Sequence, residues 1–125
     1  ESIGPGKEAL LKMGQQYGFQ VDTTENAEYF HEDTLKRYSA VVFLNTTGDV
    51  LNHIQQADFE RYIQAGGAFV GIHAASDTEY NWPRFGKLVG AWFNGHPSNH
   101  TVQAARFNVF ITDHPATKKL ADVWD

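Results

Sequence analysis

The sequence predicts an α/β fold, a layered sandwich of helices on a mainly parallel sheet. Three observations carry this. Two continuous apolar runs, "AVVFL" and "AFVGI", are short enough for strands and carry no alternation, as in strands buried between helices. Helical stripes precede, separate and follow them. Gly66-Gly67 stands directly before the second run, where a helix must stop and a strand begin.

The elements follow in order. "PGKEALLKMGQQY", residues 5–17, sets Ala9, Leu10, Met13 and Tyr17 along one helical face, with Pro5 in the first turn and Gly18 as the stop. A short strand is expected at 19–23. "HEDTLKRY" supplies one or two helical turns anchored by Leu35 and Tyr38. "AVVFLN", 40–45, is the first buried strand. Leu51, Ile54, Phe59, Tyr62 and Ile63 then form a stripe on the helix that Gly66-Gly67 ends. "AFVGI" is the second buried strand, and "WPRFGKLVGAWF", 82–93, reads as helical. Around 101–111, Ala105, Phe107, Val109 and Ile111 alternate with polar residues as in a half-covered strand. Beyond Asp113 and Pro115 a final short helical segment is expected.

With 125 residues the chain is one domain long. It begins in a loop and a helix where such folds begin with a strand, and Glu1 stands where Met would open a chain. Residues 1–125 therefore read as a single domain cut at both ends. A net charge of −5, with Lys and Arg scattered in runs no longer than two, argues against a nucleic-acid partner. The absence of cysteine removes thiolate nucleophiles, thiolate metal sites and disulfides. No apolar run reaches membrane-spanning length. The compartment stays open between cytosol and periplasm.

Ligands of open parallel sheets bind beyond the carboxyl ends of the strands. Those ends are "NTTGD", 45–49, and "HAASDTEY", 73–80. Asn45, Thr46, Thr47 and Gly48 beside His73 gather an amide, two hydroxyls and an imidazole, a set for a polyhydroxylated ligand or for acid–base work. The same residues serve equally well as a turn, with Asp49 capping the next helix. His73, followed by small Ala74 and Ala75, is the candidate acid–base residue, metal ligand or hydrogen-bond donor. Asp77 and Glu79 are its candidate partners. Tyr80 and Trp82 offer faces to stack on a sugar ring or to pack a lid onto the core. His96, from "NGHPSNH", is a further candidate for the rim, and His100 precedes the last strand. His73, His96 and a carboxylate have the donor types for zinc, at irregular spacing; no cofactor is assigned. "GPGK" is not a phosphate loop, since Glu8 stands where Ser or Thr follows the lysine, and no G-x-S-x-G elbow is present.

Three stretches, "VVFLNTTGDVLN", "FERYIQAGGAFVGIHAASDTEYNWPRFGKLVGAWFNGHP" and "DHPATKKL", resemble the ThuA-like (trehalose utilisation) domain family, and the likeness runs from Ser2 to Trp124. The resemblance implies a flavodoxin-like three-layer sandwich related to class I glutamine amidotransferases. It places the family's first strand, with a "GFRH"-like loop, just before Glu1, and a "DEWY"-like segment just after Asp125. In the amidotransferases a cysteine follows a "G-[IV]" strand end; here His73 follows Gly71-Ile72, and glutamine hydrolysis through a thioester is excluded. The family's association is with trehalose and related disaccharides and their 3-keto forms. The partner so implied is a small carbohydrate, with neighbouring domains or a second copy of the chain, and the lean is toward an extracytoplasmic setting. Three readings follow: a carbohydrate enzyme using His73, a non-catalytic sugar-binding module, and, on fold alone, a flavin carrier.

Overall fold

The computed structural model describes residues 2–97, 104–121 and 123–124. It forms two compact units, Glu1–Phe93 and Asn94–Asp125. The first unit contains β1 (Ala40–Leu44) and β2 (Ala68–Ile72), paired in parallel with Ala40 opposite Ala68 and Leu44 opposite Ile72. The mixed helix–strand order and the parallel pairing are those of the predicted α/β class.

Alternation along the pair decides the faces. Phe43 and Phe69 point to one side, where α3 (His53–Gln64) and α4 (Pro83–Val89) supply Phe59 and Phe85. Phe43 lies 5.7 Å from Phe59, 5.4 Å from Phe69 and 5.5 Å from Phe85, so four aromatic rings form the centre of the core. Leu35, from α2 (Glu32–Leu35), and Leu51 close its margin. On the opposite face α1 (Ile3–Tyr17) meets the end of β1 where Gly6 rests against Leu44. Val42 and Val70 on that face are 38% and 46% exposed, so the expectation that both strands are covered on both faces holds only for the inner face among the described residues.

Several expectations are corrected. The inward stripe of α1 is Gly6, Leu10 and Gly14, not Ala9, Leu10, Met13 and Tyr17; Met13 and Tyr17 are exposed. Gly14 is buried because the backbone oxygen of Phe19 lies 2.6 Å from where a β-carbon would stand. Residues 19–23 run as an irregular segment rather than a strand, turned back by Gly18 in the left-handed conformation at φ 78°. The cap of α3 is Asn52, not Asp49. Its side chain accepts from the N–H groups of Ile54 and Gln55, and Gln55 Oε1 accepts from the Asn52 N–H at 2.8 Å, a reciprocal capping box. Ile54, expected on the buried stripe, is 75% exposed. The helix expected over 82–93 stops at Val89, because Gly90 turns left-handed at φ 93°.

Gly67 joins α3 to β2 under the Tyr62 ring, whose nearest carbon lies 2.2 Å from the position of an added β-carbon. Gly67→Ala is expected to lower stability by about 1–3 kcal/mol through overpacking. A chemical-denaturation midpoint at the native value would show that the ring moves aside freely.

In the second unit β3 (Phe107–Asn108) pairs antiparallel with β4 (Val123–Trp124). The strand expected over 101–111 is thus confined to two residues among those described, while 101–103 and His100 lie outside them. Residues 115–119 make turns in place of the expected terminal helix, and the chain then enters β4.

Candidate functional site at the strand ends

Three non-glycine residues of the described chain have positive φ: Asn45 at 54°, His73 at 54° and Glu79 at 57°. All three lie in the loops that leave the carboxyl ends of β1 and β2. A residue with a β-carbon is strained in the left-handed region, and such residues gather at sites where geometry matters more than local comfort.

The pairing of the strands places two of them together. Leu44 and Ile72 are the last partners of the ladder, and the Asn45 N–H donates to the Ile72 carbonyl at 3.2 Å. Asn45 and His73 therefore leave neighbouring strands side by side, each bent left-handed. His73 is exposed and opens the 3₁₀ segment His73–Asp77. Ala75, 2% exposed, packs beneath that turn, which explains the small residues behind the histidine. Asn45 Nδ2 donates to Ser2 Oγ at 2.6 Å, so the start of α1 also reaches this rim. The Asn45 Oδ1 atom is buried without a hydrogen-bond partner.

The two loops are stitched together beyond that point. Thr78, fully buried, donates from Oγ1 to the Thr46 carbonyl at 2.7 Å and lies 2.9 Å from Thr46 Oγ1. The Gly48 N–H donates to the Asp77 carbonyl at 2.8 Å, and the Glu79 N–H donates back to the Gly48 carbonyl at 3.0 Å. Gly48 itself is left-handed at φ 71°. Thr46 and Gly48 thus hold the rim through backbone and hydroxyl, and Thr47 between them is exposed.

The candidates of residues 77–82 separate. Tyr80 Oη lies 2.6 Å from both Asp77 Oδ1 and the Phe93 carbonyl, sharing one proton between two acceptors. The hydrogen bond to Asp77, then burial, pushes the Tyr80 phenol above its ordinary value, so it remains a donor through the neutral range. Its ring stacks on Trp92 at 6.1 Å, and Trp92 Nε1 donates to the Thr78 carbonyl. Trp82 stacks on Phe85 at 5.8 Å and meets Phe59 edge-on, on the core side. Glu79 is 1% exposed and its carboxylate turns toward Val50, Leu51 and Gln56. His96 is exposed and belongs to the second unit. Among the described residues no three His, Asp or Glu side chains converge as metal ligands. None of the described helices is long and apolar enough to cross a membrane.

Sequence reasoning misses Ser2, whose partner is 43 positions away, and Trp92, which reads only as part of a helix. Neither carries a local signal.

Fold and rim together define an α/β protein with its chemistry-bearing side chains gathered beyond the carboxyl ends of a parallel strand pair. The family model ThuA, trehalose utilisation, matches residues 1–125, and the chain belongs to that family. Among solved structures it is similar to a ThuA-like protein from Bacteroides uniformis, with 28% identity and a TM-score of 0.79 over 97% of this chain. The chain spans 49% of the length of that protein. No curated protein matches it.

Proposed function

We propose that this chain acts on a carbohydrate, a disaccharide or its 3-keto derivative, by acid–base chemistry at His73. The observation that supports this reading best is the exposed imidazole, held left-handed at the end of β2 directly beside Asn45. Membership of a family described by trehalose utilisation supports the substrate class.

The chemistry needs no nucleophile. A keto group acidifies the C–H beside it, and a neutral imidazole takes that proton while the electron pair moves onto the carbonyl oxygen as an enolate. The enolate oxygen takes the proton of the hydroxyl on the deprotonated carbon, and return of the imidazolium proton to the former carbonyl carbon then leaves the new carbonyl one position along and isomerises the sugar. Alternatively, collapse of the enolate expels an oxygen substituent one carbon further on, and the imidazolium supplies the proton that the leaving oxygen needs. The hydroxyl of Thr47 and the exposed part of the Tyr80 ring offer the hydrogen bond and the apolar face by which a sugar is oriented. Asp77, tied to Tyr80, holds that ring in place.

The test incubates the native chain and His73→Ala with trehalose, sucrose and their 3-keto derivatives and follows products by mass spectrometry. Native turnover that falls by about 10²–10⁴-fold in the variant, with sugar binding retained, is the expected result. Sugar binding without conversion by the native chain would overturn the acid–base reading and leave the rim as a recognition surface.

A further inference from the structure

We propose that Glu79 is a positioning residue, which fixes the Asn45–Leu51 loop against the His73 turn and does not itself move a proton. The inference rests on the reading of the strand-end rim as the site.

Both carboxylate oxygens of Glu79 are committed to that loop and to the helix behind it. Oε1 accepts from the Val50 N–H at 2.8 Å and from the Leu51 N–H at 2.7 Å. Oε2 accepts from Gln56 Nε2 at 2.7 Å. The residue is 1% exposed, and Leu51 beside it is 6% exposed, so neither oxygen is open to solvent. An acid–base group must reach the proton it transfers within hydrogen-bond distance or through one water. Glu79 instead satisfies two backbone N–H groups that the turn into α3 would otherwise bury unpaired.

The left-handed backbone of Glu79 makes sense in these terms. Its N–H bonds the Gly48 carbonyl while its side chain reaches back under Val50 and Leu51. Backbone and side chain of one residue thereby grip the loop at Gly48 and again at Leu51. The same loop begins with Asn45, bonded to the last carbonyl of β2 immediately before His73. A shift of the grip is therefore a shift of Asn45 and Thr46 relative to the imidazole.

Gln56 supplies a test that separates position from proton transfer. In Glu79→Gln the new amide oxygen still accepts from Val50 and Leu51, but its NH₂ confronts the NH₂ of Gln56. Gln56 cannot turn over without giving up its bond to the Leu51 carbonyl at 3.2 Å. In the double variant Glu79→Gln/Gln56→Glu an amide NH₂ again meets a carboxylate, now on the α3 side, while the bond from position 56 to the Leu51 carbonyl is lost with the amide. The readouts are turnover of the 3-keto sugar and the backbone amide resonances of Thr46, Gly48 and His73 by NMR.

The single variant is expected to lose about 10²-fold in turnover, the scale of a small misplacement of a reacting group, and to displace those resonances. The double variant is expected to recover part of the rate and to move the resonances back toward their native positions, short of full recovery because the Leu51 carbonyl has lost its donor. Equal inactivity of the two variants, with the resonances restored in the double one, would show that a carboxylate at position 79 is needed for the chemistry and overturn the proposal. Native resonances and rate in Glu79→Gln would overturn it as well. If the native chain converts no sugar, the functional reading fails by itself, and the resonances still decide whether Glu79 sets the loop. If the single variant does not fold, refolding by the exchange with resonances and rate recovered toward the native values supports the proposal, and a folded but inactive double variant overturns it.

Discussion

Phe59→Ala is expected to lower stability by about 3–5 kcal/mol, the range of a fully buried phenylalanine truncated to alanine. Phe59 is 0% exposed and meets five aromatic partners. It stacks on Phe43 at 5.7 Å and on Tyr62 at 5.9 Å, and meets Phe30, Phe69 and Trp82 edge-on at 5.6, 6.1 and 6.3 Å. Truncation removes a ring that touches β1, β2, α3 and the approach to α4 at once. A typical domain has about 5–15 kcal/mol of stability in all, so much of the population unfolds. Urea denaturation of native protein, Phe59→Leu and Phe59→Ala checks this. Leucine keeps most of the apolar volume and should retain a cooperative transition at lower midpoint. A loss below about 1 kcal/mol in the alanine variant would mean that the neighbouring rings close the cavity, and that the cluster is not the keystone of the fold.

What is legible in the sequence depends on whether an element announces itself by hydropathy. β1 and β2 are dense apolar runs and lie where those runs predict them. α3 is legible through Phe59 and Tyr62. α1 is legible as a helix but not in its facing, because its inward side is lined by Gly6 and Gly14. Glycine has no side chain to mark a buried stripe, and the close approach it permits, to Leu44 and to the Phe19 backbone, is a tertiary fact. The segment 19–23 has strand-like residues but no strand beside it in the described unit, and propensity yields to the absence of a partner. The Asn52 cap carries a readable signal, Asn followed three positions later by Gln, that the more acidic Asp49 masks.

The site follows the same division. The location proposed for it is the one topology suggests, since strand ends are where parallel sheets leave side chains free. The role of each residue is not legible in the sequence. Glu79 and Asp77 are two positions apart and chemically alike, yet one is buried under Val50 and Leu51 while the other meets the Tyr80 hydroxyl. Glu79 also differs from Asp77 in its left-handed backbone, at φ 57°. Positive φ at Asn45, His73 and Glu79 has no hydropathy signature, although asparagine enters that region more readily than most residues.

His73→Gly is expected to act in opposite directions on function and on stability, and this separates a functional histidine from a structural one. The residue holds φ 54°, where a β-carbon costs roughly 1–2 kcal/mol and glycine costs almost nothing sterically. Against this gain, glycine adds about 0.5–1 kcal/mol of unfolded-chain entropy. The ring is exposed, so little packing is lost with it. The net expectation is a stability equal to the native protein's or higher by up to about 1.5 kcal/mol, together with the same fall in turnover of about 10²–10⁴-fold as in His73→Ala. Alanine, which keeps the β-carbon, should show the loss of turnover without the gain in stability. Thermal denaturation of the three proteins beside the sugar assay reads both quantities. If glycine instead destabilises by more than about 1 kcal/mol, the imidazole is holding the turn together and the strain is not stored for chemistry. If stability rises and turnover falls, a residue that weakens its own fold is retained for what its ring does, the pattern expected where backbone strain serves a site.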